Sequence, residues 1–306
     1  MRPEYLFVIT GTSTEIGKTW VGANLAVELR RRGATVAARK PVQSYDPDEF
    51  GSTDAEVLAR ATGESPQMVC RPSHSLPLPL APPMAAAELR QACPTFEAIL
   101  ASCAFDRQLD IGLVEGVGGL LSPIAEHSDT LDLIDALNPS CVVVVTDARL
   151  GVIHNVRAIS TALGSRSHII FLNRFDGSSQ LHRLNDSWLR DQGFEVTTTI
   201  AELADALTTA TDHDLKYRMS LLSDTPTVRI TQHEIAPGGE TGWHRHEFPY
   251  TVTPLRTAVV NITNPEGETS IFEMVAGESY DRPAGIEHNL TNSGTSNVSF
   301  IEVERR

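Results

Sequence analysis

A short apolar strand that runs directly into a glycine-rich loop and then a helix is the feature that most limits how this chain can fold. The apolar run Tyr5–Thr10 precedes Gly-Thr-Ser-Thr-Glu-Ile-Gly-Lys-Thr at 11–19, and Trp20–Arg32 has helical periodicity. In such a loop, backbone amides and the helix N-terminus converge on phosphate oxygens, Lys18 reaches the outer phosphates, and Thr19 can bind Mg²⁺. The motif predicts nucleotide binding, although five residues separate its two glycines where the usual formula has four. The alternative is a purely structural glycine-rich turn.

The chain as a whole shows two different patterns of predicted secondary structure. The first two thirds alternate β-branched runs with helical stretches, which is typical of a parallel sheet covered by helices. The last third has short alternating segments rich in Gly, Pro, Asn and Thr, which is typical of antiparallel strands in a small barrel or jelly roll. We therefore predict a doubly wound, mainly parallel α/β domain over 1–207, a linker over 208–226 and an all-β barrel over 227–306.

Charge and hydropathy exclude several classes of partner. The 306 residues include 25 Lys and Arg against 39 Asp and Glu, for a net charge of −14. A field of this sign disfavours unspecific binding to nucleic acid or to an anionic membrane. The longest apolar runs have strand length and fall short of a membrane span, and the first residues do not resemble a secretory signal. The four cysteines show no paired metal spacing, so we expect a cytoplasmic protein with incidental thiols.

Acidic and basic residues follow the predicted strands near the phosphate loop. Glu115 ends the apolar strand Ile111–Glu115, and Lys40 follows the strand Thr35–Arg39. The carboxyl ends of parallel strands share one edge of the sheet, where such folds bind ligands. Mg²⁺ needs few protein oxygens because it keeps several waters, so Thr19, Asp54 and Glu115 form a sufficient predicted set. For Asp54 alone, an N-cap of the following helix is the alternative.

Several segments, in order along 1–205, together resemble dethiobiotin synthase. The resemblance implies a P-loop NTPase-type fold and an ATP- and Mg²⁺-dependent ligase that joins CO₂, supplied as bicarbonate, to 7,8-diaminopelargonate and closes the ring of dethiobiotin. It also implies a homodimer whose substrate site lies at the subunit interface. The matching segments are Gly11–Thr19, Lys40–Val42 with Ser44, Thr53–Ala55, Leu80–Ala86, Val114–Gly119, Leu150–Ile153 and Leu172–Asn173.

The resemblance also implies residue roles. The carbamate would be held by Thr14, Lys40 and Ser44, with Lys18 as a further catalytic cation. Glu15 and Lys18 would contact phosphates, Asn173 would contact adenine, and amides near Gly151 would cap the substrate tail of the partner subunit. The remaining predicted nucleotide contacts are Thr12, Ser13, Ile16, Gly17, Thr19, Glu115 and Gly118.

Four positions depart from the family pattern. Ser13 replaces the usual Asp, and Val117 replaces a small Ala beside the substrate. His154-Asn155 reverses the usual order at the interface, and Ala201 stands near the position of a proline by the adenine. We expect these changes to affect the substrate tail and base selectivity, while the charged residues around the phosphates are unchanged.

Three histidines in the last third suggest a second site. His244 and His246 lie at i and i+2, on one face of a strand, and His288 can approach from a distant hairpin. Neutral imidazoles suit Fe, Zn, Ni, Cu or Mn. These segments resemble the two motifs of the cupin superfamily, which implies a cupin jelly-roll barrel, although Tyr250 stands where a Glu is expected. A catalytic metal, a bound but non-catalytic metal, and packed histidines without metal are all open interpretations.

Three functions follow from these patterns. The first is an active ligase joined to a cupin that acts on a metabolite, senses a metal or ligand, or supports assembly. The second is a ligase-inactive, nucleotide-binding regulatory domain attached to a metal-dependent oxygenase or isomerase. The third treats the barrel as a dimerisation platform.

Overall fold

The structure is a computed structural model that describes residues 1–48 and 51–306, except the side chains of residues 209–215 and 218. The chain forms two compact units, Met1–Thr208 and Thr209–Arg306. None of the helices in the described ranges combines the length and apolar character that a membrane span requires.

The first unit is built on a six-stranded sheet in which every neighbouring pair is parallel, with the order β10-β9-β8-β1-β5-β2. Alternate residues of β1 enter separate cores, with Leu6 and Val8 on one face and Phe7 and Ile9 on the other. Apolar cover on both faces explains why these strands are almost wholly apolar. The strands of this unit are β1 (Tyr5–Gly11), β2 (Val36–Arg39), β3 (Gln43–Ser44), β4 (Ser75–Leu76), β5 (Ile111–Glu115), β6 (Pro123–Ala125), β7 (Ser128–Asp129), β8 (Cys141–Asp147), β9 (His168–Asn173) and β10 (Val196–Thr197).

Helices follow the strands of the sheet, as predicted for a doubly wound P-loop fold. Nucleation is costly for short helices in isolation, so their stability comes mainly from burying an apolar side on the sheet. The helices are α1 (Lys18–Arg31), α2 (Asp54–Thr62), α3 (Pro66–Val69), α4 (Pro82–Glu88), α5 (Phe96–Ser102), α6 (Thr130–Leu137), α7 (Val152–Leu163), α8 (Gln180–Asp191) and α9 (Ile200–Lys216), with a 3₁₀ turn at Pro72–His74.

The second unit consists of two antiparallel sheets, with the strand orders β11-β12-β19-β14-β17 and β13-β18-β15-β16. Its core includes Ile235, Tyr250, Val260 and Phe300, which come from both sheets. The predicted all-β barrel of antiparallel strands is thus confirmed. Its strands are β11 (Tyr217–Asp224), β12 (Val228–Ile235), β13 (His244–Arg245), β14 (Tyr250–Pro254), β15 (Ala258–Thr263), β16 (Thr269–Met274), β17 (Tyr280–Arg282), β18 (Glu287–Thr291) and β19 (Val298–Arg305).

The segment 208–226 differs from the predicted linker. It contains the end of α9 and the strand β11, which pairs with β12 from Tyr217 opposite Ile235 to Asp224 opposite Arg229. Leu221 and Leu222 are about half exposed on this edge strand, so the segment lacks the apolar burial pattern that marks a strand in sequence. Backbone pairing with β12 makes it a strand all the same.

Candidate functional site

The phosphate loop joins β1 to α1 and is held by contacts from a distant strand. Gly17 has φ +96°, in the left-handed region, and precedes the first residue of α1. Asn173, at the end of β9, donates from Nδ2 to the Ile16 carbonyl at 2.8 Å. Lys18 Nζ donates to the Ser13 carbonyl at 3.1 Å, so its ammonium lies across the loop. These contacts fix the conformation of the loop and hold the Lys18 ammonium against it.

Gly17→Ala is expected to lower both stability and ATP affinity. A Cβ at Gly17 would lie 2.2 Å from Asn173 Nδ2 and would break the contact to Ile16. Gly33→Ala is a matched control, because Gly33 also has φ +98° and no described atom within 4 Å of an added Cβ. Both variants should lose about 1 kcal/mol to backbone strain. Only Gly17→Ala should also weaken ATP binding, measured by calorimetry, and equal ATP affinity in the two variants would contradict this account.

Two carboxylates, one hydroxyl and one ammonium group meet at the carboxyl edge of the sheet. Thr19 Oγ1 lies 2.8 Å from Asp54 Oδ1 and 2.7 Å from Glu115 Oε1. Lys40 Nζ lies 2.7 Å from Glu115 Oε1 and 2.8 Å from Asp54 Oδ2, and it donates to the Gly116 carbonyl at 3.0 Å. The structure therefore brings together the three residues predicted for Mg²⁺ and Lys40, one of the three residues predicted for the carbamate.

Burial sets the electrostatics of this cluster. Lys40 and Glu115 are 3% and 1% exposed. Burial alone would lower the pKa of Lys40, but Asp54 and Glu115 outweigh it, so that pKa lies above its usual value. Burial raises the pKa of Glu115, and the charge of Lys40 partly offsets this. Burial and the nearby charge of Lys40 lower the pKa of Lys18 to about 8.

Asp54 is not the N-cap of α2. That position belongs to Thr53, whose side chain accepts from the Glu56 amide, while the Glu56 side chain accepts from the Thr53 amide. Asp54 is the first helical residue. Burial raises the pKa of its carboxyl, but the charge of Lys40 outweighs this effect, so the pKa lies below its usual value. The carboxylate of Asp54 is thereby free of any capping role.

Two buried oxygens at this edge have no hydrogen-bond partner among the described residues, Glu115 Oε2 and Ser44 Oγ. A buried polar atom without a partner is costly, and such atoms commonly mark a ligand position. Two carboxylates and a hydroxyl are hard oxygen donors of the kind that Mg²⁺ prefers. The donor set therefore fits the predicted metal.

The other predicted residues of the first unit lie around the same loop. Gly118, with φ +62°, is positioned so that an added Cβ would be 3.7 Å from the Thr14 methyl group. Thr12 Oγ1 donates to Thr146 Oγ1 at 3.1 Å, whereas Ser13 and Glu15 are exposed. Asn173 uses its amide group on Ile16 and accepts from the Arg174 amide, a positioning role that the sequence did not predict. The nucleotide-binding roles of these residues stay predictions.

The three histidines of the second unit converge through their Nε2 atoms. His288 Nε2 lies 3.3 Å from His246 Nε2 and 3.2 Å from His244 Nε2. His244 Nδ1 lies 2.9 Å from the Gly242 carbonyl, which holds this ring with its Nε2 toward the other two. Nitrogen atoms of all three rings lie within 4.8 Å of one another, as a shared metal ion requires.

Burial favours the neutral form of His246 and His288, which is the form that binds a metal. Burial, followed by the charges of neighbouring histidines, lowers the pKa of His246 to about 4 and that of His288 to about 3. Tyr250, the residue in the place of the expected Glu, stacks on the His246 ring with centroids 3.7 Å apart. It thus supports one imidazole through the ring face.

Two further charged residues near the histidines were not predicted from the sequence. Glu302 on β19 has Oε1 3.6 Å from His246 Nδ1, and Arg282 on β17 lines the same cavity as His244 and His288. The one signal in the sequence was their spacing. Glu302 lies two residues after Phe300, and Arg282 lies two residues after Tyr280, so each shares a face of its strand with an aromatic residue. Which of two alternating faces points inward could not be read without the pairing of the sheets.

The second unit is expected to lose stability in acid because His233 is buried in its neutral form. Its ring stacks on Phe300 at 4.7 Å and contacts Tyr217 and Thr231, and burial lowers its pKa to about 4. The unfolded chain therefore takes up this proton at higher pH than the folded chain. The free energy of unfolding should fall by about 2 kcal/mol between pH 7 and pH 5 from this residue alone.

This loss is measured by urea unfolding at pH 7 and pH 5 with chelator present, with hydrogen exchange of the amides in β12 and β19 as the readout. His233→Gln keeps a polar side chain but removes the titration, so its unfolding free energy should depend less on pH. An unchanged pH dependence in His233→Gln would show that other groups cause it.

The strand–loop–helix unit and the acidic cluster beside it define the first unit as a P-loop nucleotide-binding domain. A family model described as an AAA domain matches residues 6–172. The ATP-dependent dethiobiotin synthetase BioD of Xanthomonas axonopodis pv. citri is 35% identical over 162 residues, which are 52% of this chain and 72% of the relative. The enzyme of the same name from Haloferax mediterranei is 32% identical over 217 residues, which are 68% of this chain and 90% of the relative.

The chain belongs to the dethiobiotin synthetase family, and the predicted resemblance is confirmed. It is therefore an ATP-dependent cyclo-ligase of biotin biosynthesis, and its chain continues into a second unit of antiparallel β-sheets. Among solved structures, a cupin domain from Bordetella pertussis is 37% identical, with 29% of this chain and 93% of that chain covered and a TM-score of 0.29.

Proposed function

We propose that the first domain joins CO₂ to the two vicinal amines of 7,8-diaminopelargonate in three steps. One amine adds to CO₂ and loses a proton to give a carbamate. The carbamate oxygen attacks the γ-phosphorus of ATP, which forms a mixed anhydride and releases ADP. The second amine then attacks the carbamoyl carbon, closes the ring and expels phosphate.

The observation that carries this proposal is the pairing of Lys40 with Asp54 and Glu115 beside the phosphate loop. A carbamate and a migrating phosphoryl group are both anionic, so their reaction needs fixed positive charge. Lys18, which crosses the phosphate loop, and Lys40, which contacts the two carboxylates, would supply it. The unpartnered Ser44 hydroxyl offers a hydrogen bond to the carbamate, as expected for its predicted role.

Thr19, Asp54 and Glu115 would hold the Mg²⁺ ion, and the ion would neutralise charge on the β- and γ-phosphates. The ammonium of Lys40 lies beside the same two carboxylates and would pair with the carbamate, while the charge of a bound ion would compensate the buried acids.

The proposal includes a cytoplasmic homodimer in which the segment around Gly151 contacts the substrate tail of the partner. Leu150 is 88% exposed, and an apolar side chain at this level of exposure gains free energy when a second subunit covers it. Gly151 precedes α7 without a side-chain cap, so amides at this helix start are available for a carboxylate.

For the second domain we propose a bound divalent transition metal, held by His244, His246 and His288. The support is the convergence of the three imidazoles, together with the burial that favours the neutral form of His246 and His288. The competing hypothesis, a regulatory first domain without ligase activity, finds no support in a phosphate loop and acidic cluster that are intact.

Phosphate release from ATP, with the diamine and bicarbonate each omitted in turn, tests the ligase proposal. We expect release that requires both compounds and gives one product ring per phosphate. Hydrolysis that ignores the diamine would favour the regulatory hypothesis instead. The same assay on a chain ending before β11 tests whether the barrel contributes only to assembly.

A further inference from the structure

The side chain of Gln43 joins two segments of the first domain. Gln43 is a buried residue of β3, one position before Ser44. Its Oε1 accepts from the Ala55 amide at 3.0 Å, and its Nε2 donates to Ser75 Oγ at 2.7 Å. A backbone amide can only donate, so the contact to Ala55 fixes which end of the side chain faces α2. Both ends of this buried amide group therefore have a hydrogen-bond partner.

The contact to Ala55 adds to the hydrogen bonds that hold the start of α2. The first amides of a helix have no partner within the helix itself. Thr53 and Glu56 satisfy each other's amides through their side chains, and Gln43 supplies the acceptor for Ala55. The amides of the residues before and after Asp54 are thus both hydrogen-bonded, the second of them by a side chain from β3.

Asp54 is the residue whose position depends most on this arrangement. Its Oδ1 lies 2.8 Å from Thr19 Oγ1, and its Oδ2 lies 2.8 Å from Lys40 Nζ. The Asp54 side chain is 40% exposed, whereas that of Glu115 is 1% exposed, so surrounding packing constrains Asp54 less. An aspartate carboxylate is also only two bonds from the backbone. Its place in the cluster is therefore set largely by the backbone at the start of α2.

The segment that carries Gln43 also carries two residues predicted for the carbamate. Lys40 lies three residues before Gln43, and Ser44 follows it directly. The ion pair between Lys40 and Asp54 uses charged groups that the proposed reaction also needs. The contact between Gln43 and the Ala55 amide uses none of them, so it can hold the segment 40–44 against α2 throughout the reaction.

We propose that Gln43 is a positioning residue of the ligase reaction. It fixes Asp54 in the place where this carboxylate binds Mg²⁺, and it aligns α2 with the segment that holds the carbamate. This inference rests on the role proposed above for Asp54, and it adds a residue that acts through the backbone of α2.

The Mg²⁺ requirement of Gln43→Met tests this role, because methionine keeps most of the buried volume and forms neither hydrogen bond. Diamine-dependent phosphate release over a series of Mg²⁺ concentrations gives the half-saturating concentration and the rate at saturation. Loss of a residue that orients a metal ligand lowers metal affinity about 10–100-fold, so we expect the half-saturating Mg²⁺ concentration to rise about tenfold, with the saturated rate within about threefold of wild type. ATP affinity without Mg²⁺, measured by calorimetry, should be unchanged.

Two further variants separate positioning from stability. Thr95→Ala removes a comparable hydrogen bond, which the Thr95 side chain accepts from the Ala98 amide at 3.2 Å at the start of α5. It should lower the melting temperature, as Gln43→Met does, but leave the Mg²⁺ requirement at the wild-type value. Gln43→Asn keeps an amide of shorter reach and should raise the Mg²⁺ requirement even if Gln43→Met does not fold.

The outcomes distinguish this inference from the proposed function. A wild-type chain that releases no phosphate with the diamine refutes the proposed three-step reaction. The gain in ATP affinity on adding Mg²⁺, measured by calorimetry on the same variants, then decides the role of Gln43. A wild-type Mg²⁺ requirement in the Gln43 variants, or an equal increase in Thr95→Ala, would overturn the inference.

Discussion

Lys40→Ala is expected to bind ATP and Mg²⁺ yet to release phosphate at least about 100-fold more slowly than wild type when diamine and bicarbonate are present. The Lys40 ammonium is the buried cation that contacts both Asp54 and Glu115, and it is the group proposed to pair with the carbamate. Its removal takes away charge compensation for the phosphoryl transfer. ATP contacts through the loop and Lys18 remain, so kcat should fall far more than ATP affinity.

A second variant separates catalysis from folding. Lys40→Met keeps most of the buried volume but leaves Asp54 and Glu115 without their cation, and unpaired buried charge is strongly destabilising. The variant should therefore melt lower than wild type without metal and gain more from added Mg²⁺. Turnover near the wild-type rate in a folded Lys40→Met chain would remove Lys40 from the mechanism.

Loss of bound metal from His244→Ala/His246→Ala is the second large effect that we expect. These two rings and His288 present nitrogen atoms within 4.8 Å of one another. Removing a residue that only hydrogen-bonds to a metal ligand already lowers metal affinity about 10–100-fold. Removing two of the ligands themselves should therefore lower metal affinity more than about 100-fold. Metal content after gel filtration, measured by mass spectrometry, checks the expectation.

A matched double variant gives the control for this measurement. His127 and His154 are exposed histidines of the first domain, and His127→Ala/His154→Ala should retain as much metal as wild type. Equal metal content in all three proteins would show that the histidines of the barrel are packed without a metal. The ligase reaction of His244→Ala/His246→Ala should be unaffected, because its residues lie in the other domain.

Much of the fold could be predicted because its signals are local. Ile111–Glu115 and His168–Asn173 are apolar runs that coincide with β5 and β9, and the helical period before Gly33 corresponds to α1. Strand β11 could not be predicted, since its apolar side chains stay largely exposed and only its pairing with β12 defines it. The cap of α2 stayed open for a related reason: Thr53 and Asp54 are both residue types that cap helices, and the backbone geometry decides for Thr53.

The sequence by itself determined the phosphate loop, the two domains and the residue types available for metal and anion chemistry, because these depend on neighbouring residues. Only the tertiary structure decided that Lys40 pairs with both carboxylates, that Asn173 supports the loop, and that Arg282 and Glu302 enter the histidine cavity. Those contacts join residues far apart in the chain. Which residues meet is decided by the order and register of the strands. A register shift of one residue would move every side chain of a strand to the opposite face of the sheet.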